Sequence, residues 1–167
     1  RPNFLFVITD QQRADHLGCY GNAIVRTPNI DGLAARGGAF DRFYVASPIC
    51  MPNRATLMTG RMPSVHGVRH NGIPLSLDAV TFTDVLRAVG YRTALIGKSH
   101  LQNMDARPAM IRADDLPGRE RLGEFPEARR ARLDGPDYQQ ETRARWSDPE
   151  HRLHLPIYGF HHVELCA

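Results

Sequence analysis

Apolar and polar positions switch between two periods along this chain, and the switches mark out its elements. Asn3 to Thr9 contains an unbroken apolar, β-rich run from Phe4 to Ile8. That pattern predicts a strand covered on both faces, as in a parallel sheet flanked by helices. The run leads into Asp10. Thr27 and Pro28 suit the N-cap and first position of a helix through Ile30, Leu33 and Ala34, which Gly37 and Gly38 stop. Pro52 suits the first position of a second helix, with Ala55, Leu57 and Met58 facing the core and Gly60 at its end. Cys50 then falls just before that helix. A third, amphipathic helix is predicted from Thr81 to Val89, with Phe82, Val85, Leu86 and Val89 inward and Gly90 as its stop. Thr93 to Ile96 reads as a further buried strand, ending at Gly97-Lys98-Ser99-His100.

Strands alternating with helices predict an α/β fold, a mostly parallel central sheet with helices on both faces. Ligands in such folds bind beyond the carboxyl ends of the strands, where Asp10 and Lys98 fall. From Met104 to Pro156 the periodicity fades while Pro, Arg and Asp become frequent. This predicts a variable surface excursion with short helices such as Pro126 to Leu133. The expected organisation is therefore a core over 1–103, an excursion over 104–156 and a return to the core over 157–167.

Composition narrows the class. With 42% hydrophobic and 23% charged residues in 167, the chain is ordinary globular protein and neither disordered nor fibrous. No apolar run approaches the ~18 residues needed to span a bilayer. The net charge of +3 raises the question of a polyanionic partner, but ten Arg alternate with ten Asp and Glu between Ala106 and Arg152. Interspersed charge describes a solvated surface, so no nucleic-acid or membrane partner is expected. The sequence starts at Arg1 without a secretory pattern, which leaves the compartment open. Cys19, Cys50 and Cys166 are odd in number and widely spaced, against a disulfide framework or zinc knuckle and in favour of a reducing, cytoplasmic setting.

A lone cysteine is most often a small buried hydrophobe. Cys50 differs in its setting: the start of a helix offers unpaired amides and a positive dipole end to an anionic substrate, and Arg54 lies four residues on. The segment Cys50-Met51-Pro52-Asn53-Arg54, followed by Thr59-Gly60-Arg61, closely resembles the sulfatase signature, Cys-x-Pro-x-Arg followed by Thr-Gly. Similarity extends to Pro2-Asn3 through Asp10, Gly18-Cys19-Tyr20-Gly21, Thr27-Pro28-Asn29-Ile30-Asp31, Leu33 to Gly37, and Gly90-Tyr91-Arg92-Thr93 leading into Gly97-Lys98-Ser99-His100-Leu101. The chain thus resembles the N-terminal part of a sulfatase catalytic domain of the alkaline phosphatase-like superfamily. Within it the chain resembles arylsulfatases and choline-sulfatase-like enzymes, which are related to phosphonate monoester hydrolases.

The resemblance implies hydrolysis of a small-molecule sulfate ester by a nucleophile made from Cys50. A formylglycine-generating maturation enzyme would oxidise that cysteine, and the hydrated aldehyde would attack sulfur with one hydroxyl and expel sulfate with the other. It also implies a divalent metal, Ca²⁺ with Mn²⁺ or Mg²⁺ as alternatives, held by Asp10, Gln11 and the oxidised Cys50. Gln11 stands where relatives commonly carry a second Asp, which makes the site less anionic. Arg54, Lys98 and His100 are the other implied catalytic residues. Lys98 and His100 would also hold the substrate's sulfate oxygens, and Asn71 would be a polar substrate contact. Two alternatives remain: phosphonate monoester or phosphodiester hydrolysis on the same scaffold, and a non-catalytic sulfatase-like remnant. The resemblance further implies a fragment, inactive alone, whose remaining metal ligands lie beyond it. His161-His162 is read as structural, since adjacent side chains diverge.

Overall fold

A computed structural model describes residues 1–105, 133 and 135–166. It divides into two units, Arg1–Tyr44 and Val45–Ala167. The expected helix over 126–133 lies outside the described residues except at Leu133. Among the described residues, no helix is long and apolar enough to cross a membrane.

In the first unit, α1 spans Pro28–Arg36 between Thr27 and Gly37, where Pro28 and the glycine pair place it. Thr27 does not cap the helix with its side chain. Its hydroxyl instead accepts from the Gly18 amide (2.8 Å) and donates to Asp31 Oδ1 (2.9 Å), which also accepts from the Cys19 amide (2.7 Å). The 3₁₀ turn Gly18–Tyr20 is thereby clamped to the first turn of α1, satisfying amides that would otherwise lack partners. A Cβ at Gly18 would run into the Asp31 carboxylate. These motif residues therefore build the scaffold. The predicted strand at Phe4 to Ile8 does not form, and Leu5 is 90% exposed. An apolar run only offers a strand; the ladder needs a neighbour, and the described residues of this unit contain no strand to pair with.

The second unit holds the core. α2 spans Cys50–Thr59 and ends at Gly60, whose φ of 67° is the left-handed conformation of a helix stop. Cys50 is thus the first helical residue and Pro52 the third, two positions later than the sequence suggested. Both arrangements suit proline, because first-turn N–H groups have no intrahelical acceptor. Met51, Ala55 and Met58 recur at helical spacing and are buried. They meet Val68, Leu75, Leu101, Tyr158 and Phe160. Leu57, expected in this set, is half-buried. α3, Pro63–His66, follows and packs on α2. The Val68 amide donates to His66 Nδ1 (3.1 Å), so Nε2 carries the proton and donates to Thr56 Oγ1 at 3.0 Å. Burial lowers the pKa of His66, in keeping with this neutral ring.

α4 spans Phe82–Ala88 behind a capping box in which Thr81 and Asp84 satisfy each other's amides. Its orientation differs from the expected one: Phe82, Val85 and Val89 are exposed while Thr83 is buried. The hydroxyls of Thr81 (3.0 Å) and Thr83 (2.6 Å) both donate to the Tyr158 carbonyl, so hydrogen bonding turns the polar side inward. Tyr158 and Gly159 have φ of 47° and 77°, and a Cβ at Gly159 would collide with the backbone of Thr83 and Asp84. Glycine is what allows this close approach.

β1, Ala94–Ile96, pairs in parallel with β2, His162–Glu164, matching Leu95 to Val163. The alternation of helices with a parallel pair is the expected α/β arrangement. Only Leu95 of β1 is half-buried, its neighbours being exposed, so this strand is covered on one face rather than two. His161 Nδ1 accepts from the Thr93 amide (3.3 Å) and His162 Nε2 meets Glu164 Oε1 (2.8 Å), the structural use expected of that pair. α5, Arg143–Trp146, lies between the paired strands in sequence.

Candidate active site

Cys50 opens α2 and is half-buried. The donors of this helix start are nearly all assigned. The Met51 amide donates to Asn71 Oδ1 (3.1 Å), Pro52 has no N–H, and the Asn53 amide donates to the Ile49 carbonyl (3.1 Å). Asn71, expected as a substrate contact, therefore caps α2 through the residue next to Cys50 and fixes where the helix begins. Its exposure leaves the rest of the amide group open to solvent.

Arg54 lies one turn further on and is only 8% exposed. Its Nη1 donates to the Lys98 carbonyl at 2.7 Å, tying α2 to the turn that follows β1. The guanidinium fork has five N–H donors in fixed directions, so a bond at one edge also sets the direction of the others. The structure thus joins two of the expected residues directly, Arg54 and Lys98, and a third, Asn71, to the neighbour of Cys50.

His100 adopts φ of 52° and Gln11 φ of 51°, which with Tyr158 are the non-glycine residues at positive φ among the described residues. Such conformations cost roughly 1–3 kcal/mol each and need support from their surroundings. Around His100 the support is visible. Glu141 Oε1 accepts from the amides of Leu101 (3.2 Å) and Gln102 (3.1 Å). An ordinary hydrogen bond is worth about 0.5–1.5 kcal/mol net, so the two together are of the size of the backbone cost.

Glu141 is 5% exposed, although it lies inside the segment read as a surface excursion. Gln140 and Thr142 are buried beside it, and Gln102 ties the segment down by donating to the Asp137 carbonyl (2.9 Å) and accepting from the Gln140 amide (2.9 Å). Nothing in the local periodicity marked this residue, because its partners are backbone amides of a distant turn. Burial pushes its carboxyl up to about 7, against the lowering pull of Ser99 and the three amides. In the unfolded chain the same group ionises near 4.5. Wild-type stability relative to Glu141→Gln is therefore fully present below that value and lost as pH rises towards 7. The expected loss is on the order of 3 kcal/mol. Unfolding of the two proteins at pH 5 and pH 8 checks it, and an unchanged difference would mean that Glu141 titrates normally in the fold.

Asp10 and Gln11 lie in the first unit, where both are exposed. A carboxylate and an amide oxygen are the hard donors that suit a divalent cation, which takes six to eight such oxygens in the case of Ca²⁺. The left-handed φ at Gln11 breaks the strand-like alternation that would send adjacent side chains apart. The donor types therefore fit the implied ion. Among the described residues, no three His, Cys, Asp or Glu side chains are grouped so as to hold a metal.

The family model described as Sulfatase matches residues 2–136, and the chain belongs to the Sulfatase family. Steryl-sulfatase of Homo sapiens is 42% identical over 114 residues, 60% of this chain and 19% of that protein. Arylsulfatase A of Homo sapiens is 42% identical over 108 residues, 60% of this chain and 21% of that protein. Among solved structures, BT4656 in complex with its substrate D-glucosamine-2-N,6-O-disulfate is 38% identical with a TM-score of 0.59, covering 60% of this chain and 20% of that one. The phosphonate monoester hydrolase of Agrobacterium radiobacter is 28% identical with a TM-score of 0.61, covering 100% of this chain and 26% of that one. The α/β fold is that of these neighbours. The chain spans about a fifth of the length of the curated relatives it matches.

Proposed function

We propose that the protein containing this chain hydrolyses sulfate esters, with Cys50, oxidised to formylglycine, as nucleophile. The observation that carries this reading is the placement of Cys50 at the first position of α2, one turn from an Arg54 locked onto the Lys98 carbonyl. The helix start favours negative charge, and the Arg54 and Lys98 cations supply donors for the oxygens that become more negative as the ester bond breaks. One hydroxyl of the hydrated aldehyde attacks sulfur and the alcohol departs with a proton. The second hydroxyl then loses its proton as the carbon–oxygen bond to sulfate breaks, which restores the aldehyde. On the family resemblance, Asp10, Gln11 and the oxidised Cys50 would hold a divalent cation, Ca²⁺ with Mn²⁺ or Mg²⁺ as alternatives, which when bound polarises sulfate oxygens. His100 would contact the sulfate group, and Asn71 would hold the helix start.

Gln11 favours a second reading, phosphonate monoester hydrolysis, because it removes one negative charge from the metal ligands, and a phosphonate monoester hydrolase is a neighbour similar over the whole chain. Full-length protein made together with a formylglycine-generating enzyme decides between them. Mass spectrometry of the peptide containing Cys50 is expected to show the aldehyde, and nitrophenyl sulfate is expected to be cleaved with higher kcat/KM than a phenyl phosphonate ester. The reverse preference would establish the second reading. A fully converted protein that cleaves neither ester would instead be a non-catalytic relative.

A further inference from the structure

The backbone that follows Lys98 is held at two points. The Lys98 carbonyl accepts from Arg54 Nη1 at 2.7 Å. The turn that follows is held by Glu141, whose Oε1 accepts from the Leu101 and Gln102 amides. The turn needs such a hold because His100 has φ of 52°, a conformation that histidine adopts only when its surroundings impose it. The second carboxyl oxygen, Oε2, is buried without a hydrogen-bond partner among the described residues. Glu141 lines a pocket together with Leu95, Ile157, Phe160 and Val163 and with the polar side chains of Ser99 and Tyr158. All the carboxyl's described polar contacts are thus directed at one turn, the one bearing Lys98 and His100.

We propose that Glu141 is a positioning residue for sulfate transfer: by gathering the amides that follow Lys98 onto its Oε1, it fixes the backbone from which Lys98 and His100 reach the transferred group. This rests on the roles given to Lys98 and His100 above. A carboxylate used only to fasten a loop would be replaceable by any group that keeps the fold. One that aims Lys98 must keep its oxygen in place. Glutamine preserves that acceptor, aspartate withdraws it by one methylene, and methionine fills the volume but offers no oxygen.

The test uses the full-length, converted enzyme with nitrophenyl sulfate and the variants Glu141→Gln, Glu141→Asp and Glu141→Met. Glu141→Gln is expected to keep kcat close to wild type. Glu141→Asp and Glu141→Met are expected to lower kcat by roughly 10²-fold with little change in KM, as for a displacement of about 1 Å at reacting groups. In a Lys98→Ala background, Glu141→Met is expected to lower kcat by less than it does alone, since of the two groups it positions only His100 remains. Amide exchange over residues 98–103, followed by mass spectrometry, should quicken in the Asp and Met variants whatever the substrate. If Glu141→Met does not fold, Glu141→Asp decides. Wild-type kcat with unchanged exchange in Glu141→Asp, or fully multiplicative losses with Lys98→Ala, would overturn the inference. A normal kcat in Lys98→Ala would instead sink the role of Lys98, while unchanged exchange would sink Glu141 even in a protein without sulfatase activity.

Discussion

Replacing Cys50 by alanine in the full-length enzyme is expected to abolish turnover, by roughly 10⁶-fold in kcat as for loss of other covalent nucleophiles, while the protein still folds. The two halves of this expectation have separate grounds. Turnover depends on a carbon that can carry two hydroxyls, one to attack sulfur and one to expel sulfate, and alanine offers neither. Folding depends on the positions next to Cys50. Met51, Ala55 and Met58 carry the buried face of α2, the Met51 amide is held by Asn71, and the stop at Gly60 is independent of residue 50. Alanine has the highest helix propensity and does not disturb the first turn. Thermal unfolding of the variant should therefore stay near wild type while steady-state assays show no sulfate release. Turnover within tenfold of wild type would remove Cys50 from the reaction.

Local signals were legible where a few neighbouring residues decide the outcome. Pro28 and Gly37 bracket α1, Gly60 stops α2, and the helix expected from Thr81 forms as α4, because helix starts and glycine stops act within one turn. What could not be read were choices made by distant partners. Phe4 to Ile8 has strand composition without a neighbouring strand in its unit, and the apolar side of α4 faces outward because two threonine hydroxyls reach the Tyr158 carbonyl. Glu141 shows the same limit at the site. Its position 40 residues from Leu101 and its place in an Arg-rich stretch gave it the look of a solvated side chain, and only the fold brings it under the Lys98 turn. Asn71 was singled out for the substrate, but its oxygen serves the helix start.

Arg54→Ala is expected to lower kcat by about 10²-fold or more, the usual cost of removing one donor aimed at developing charge. KM should change much less, because such a donor matters chiefly in the transition state. The geometry adds a second contribution. The Nη1 bond to the Lys98 carbonyl means that truncation also loosens the peptide carrying the other cation, so the losses in Arg54→Ala and Lys98→Ala should combine to less than their product. Arg54→Lys is expected to recover little of the rate. An ammonium is a point charge that cannot both hold the Lys98 carbonyl and present a second edge in a fixed direction, as the guanidinium fork does. Stability should fall as well, since Arg54 is buried and its removal takes a donor from a carbonyl at the end of β1, at a typical cost of about 1–3 kcal/mol. Steady-state kinetics and denaturant unfolding of the single and double variants measure both effects. If Arg54→Ala raised KM while leaving kcat intact, Arg54 would be holding the bound substrate and not the transition state; if it cost stability alone, the bond to Lys98 would be a structural tie between α2 and the β1 turn.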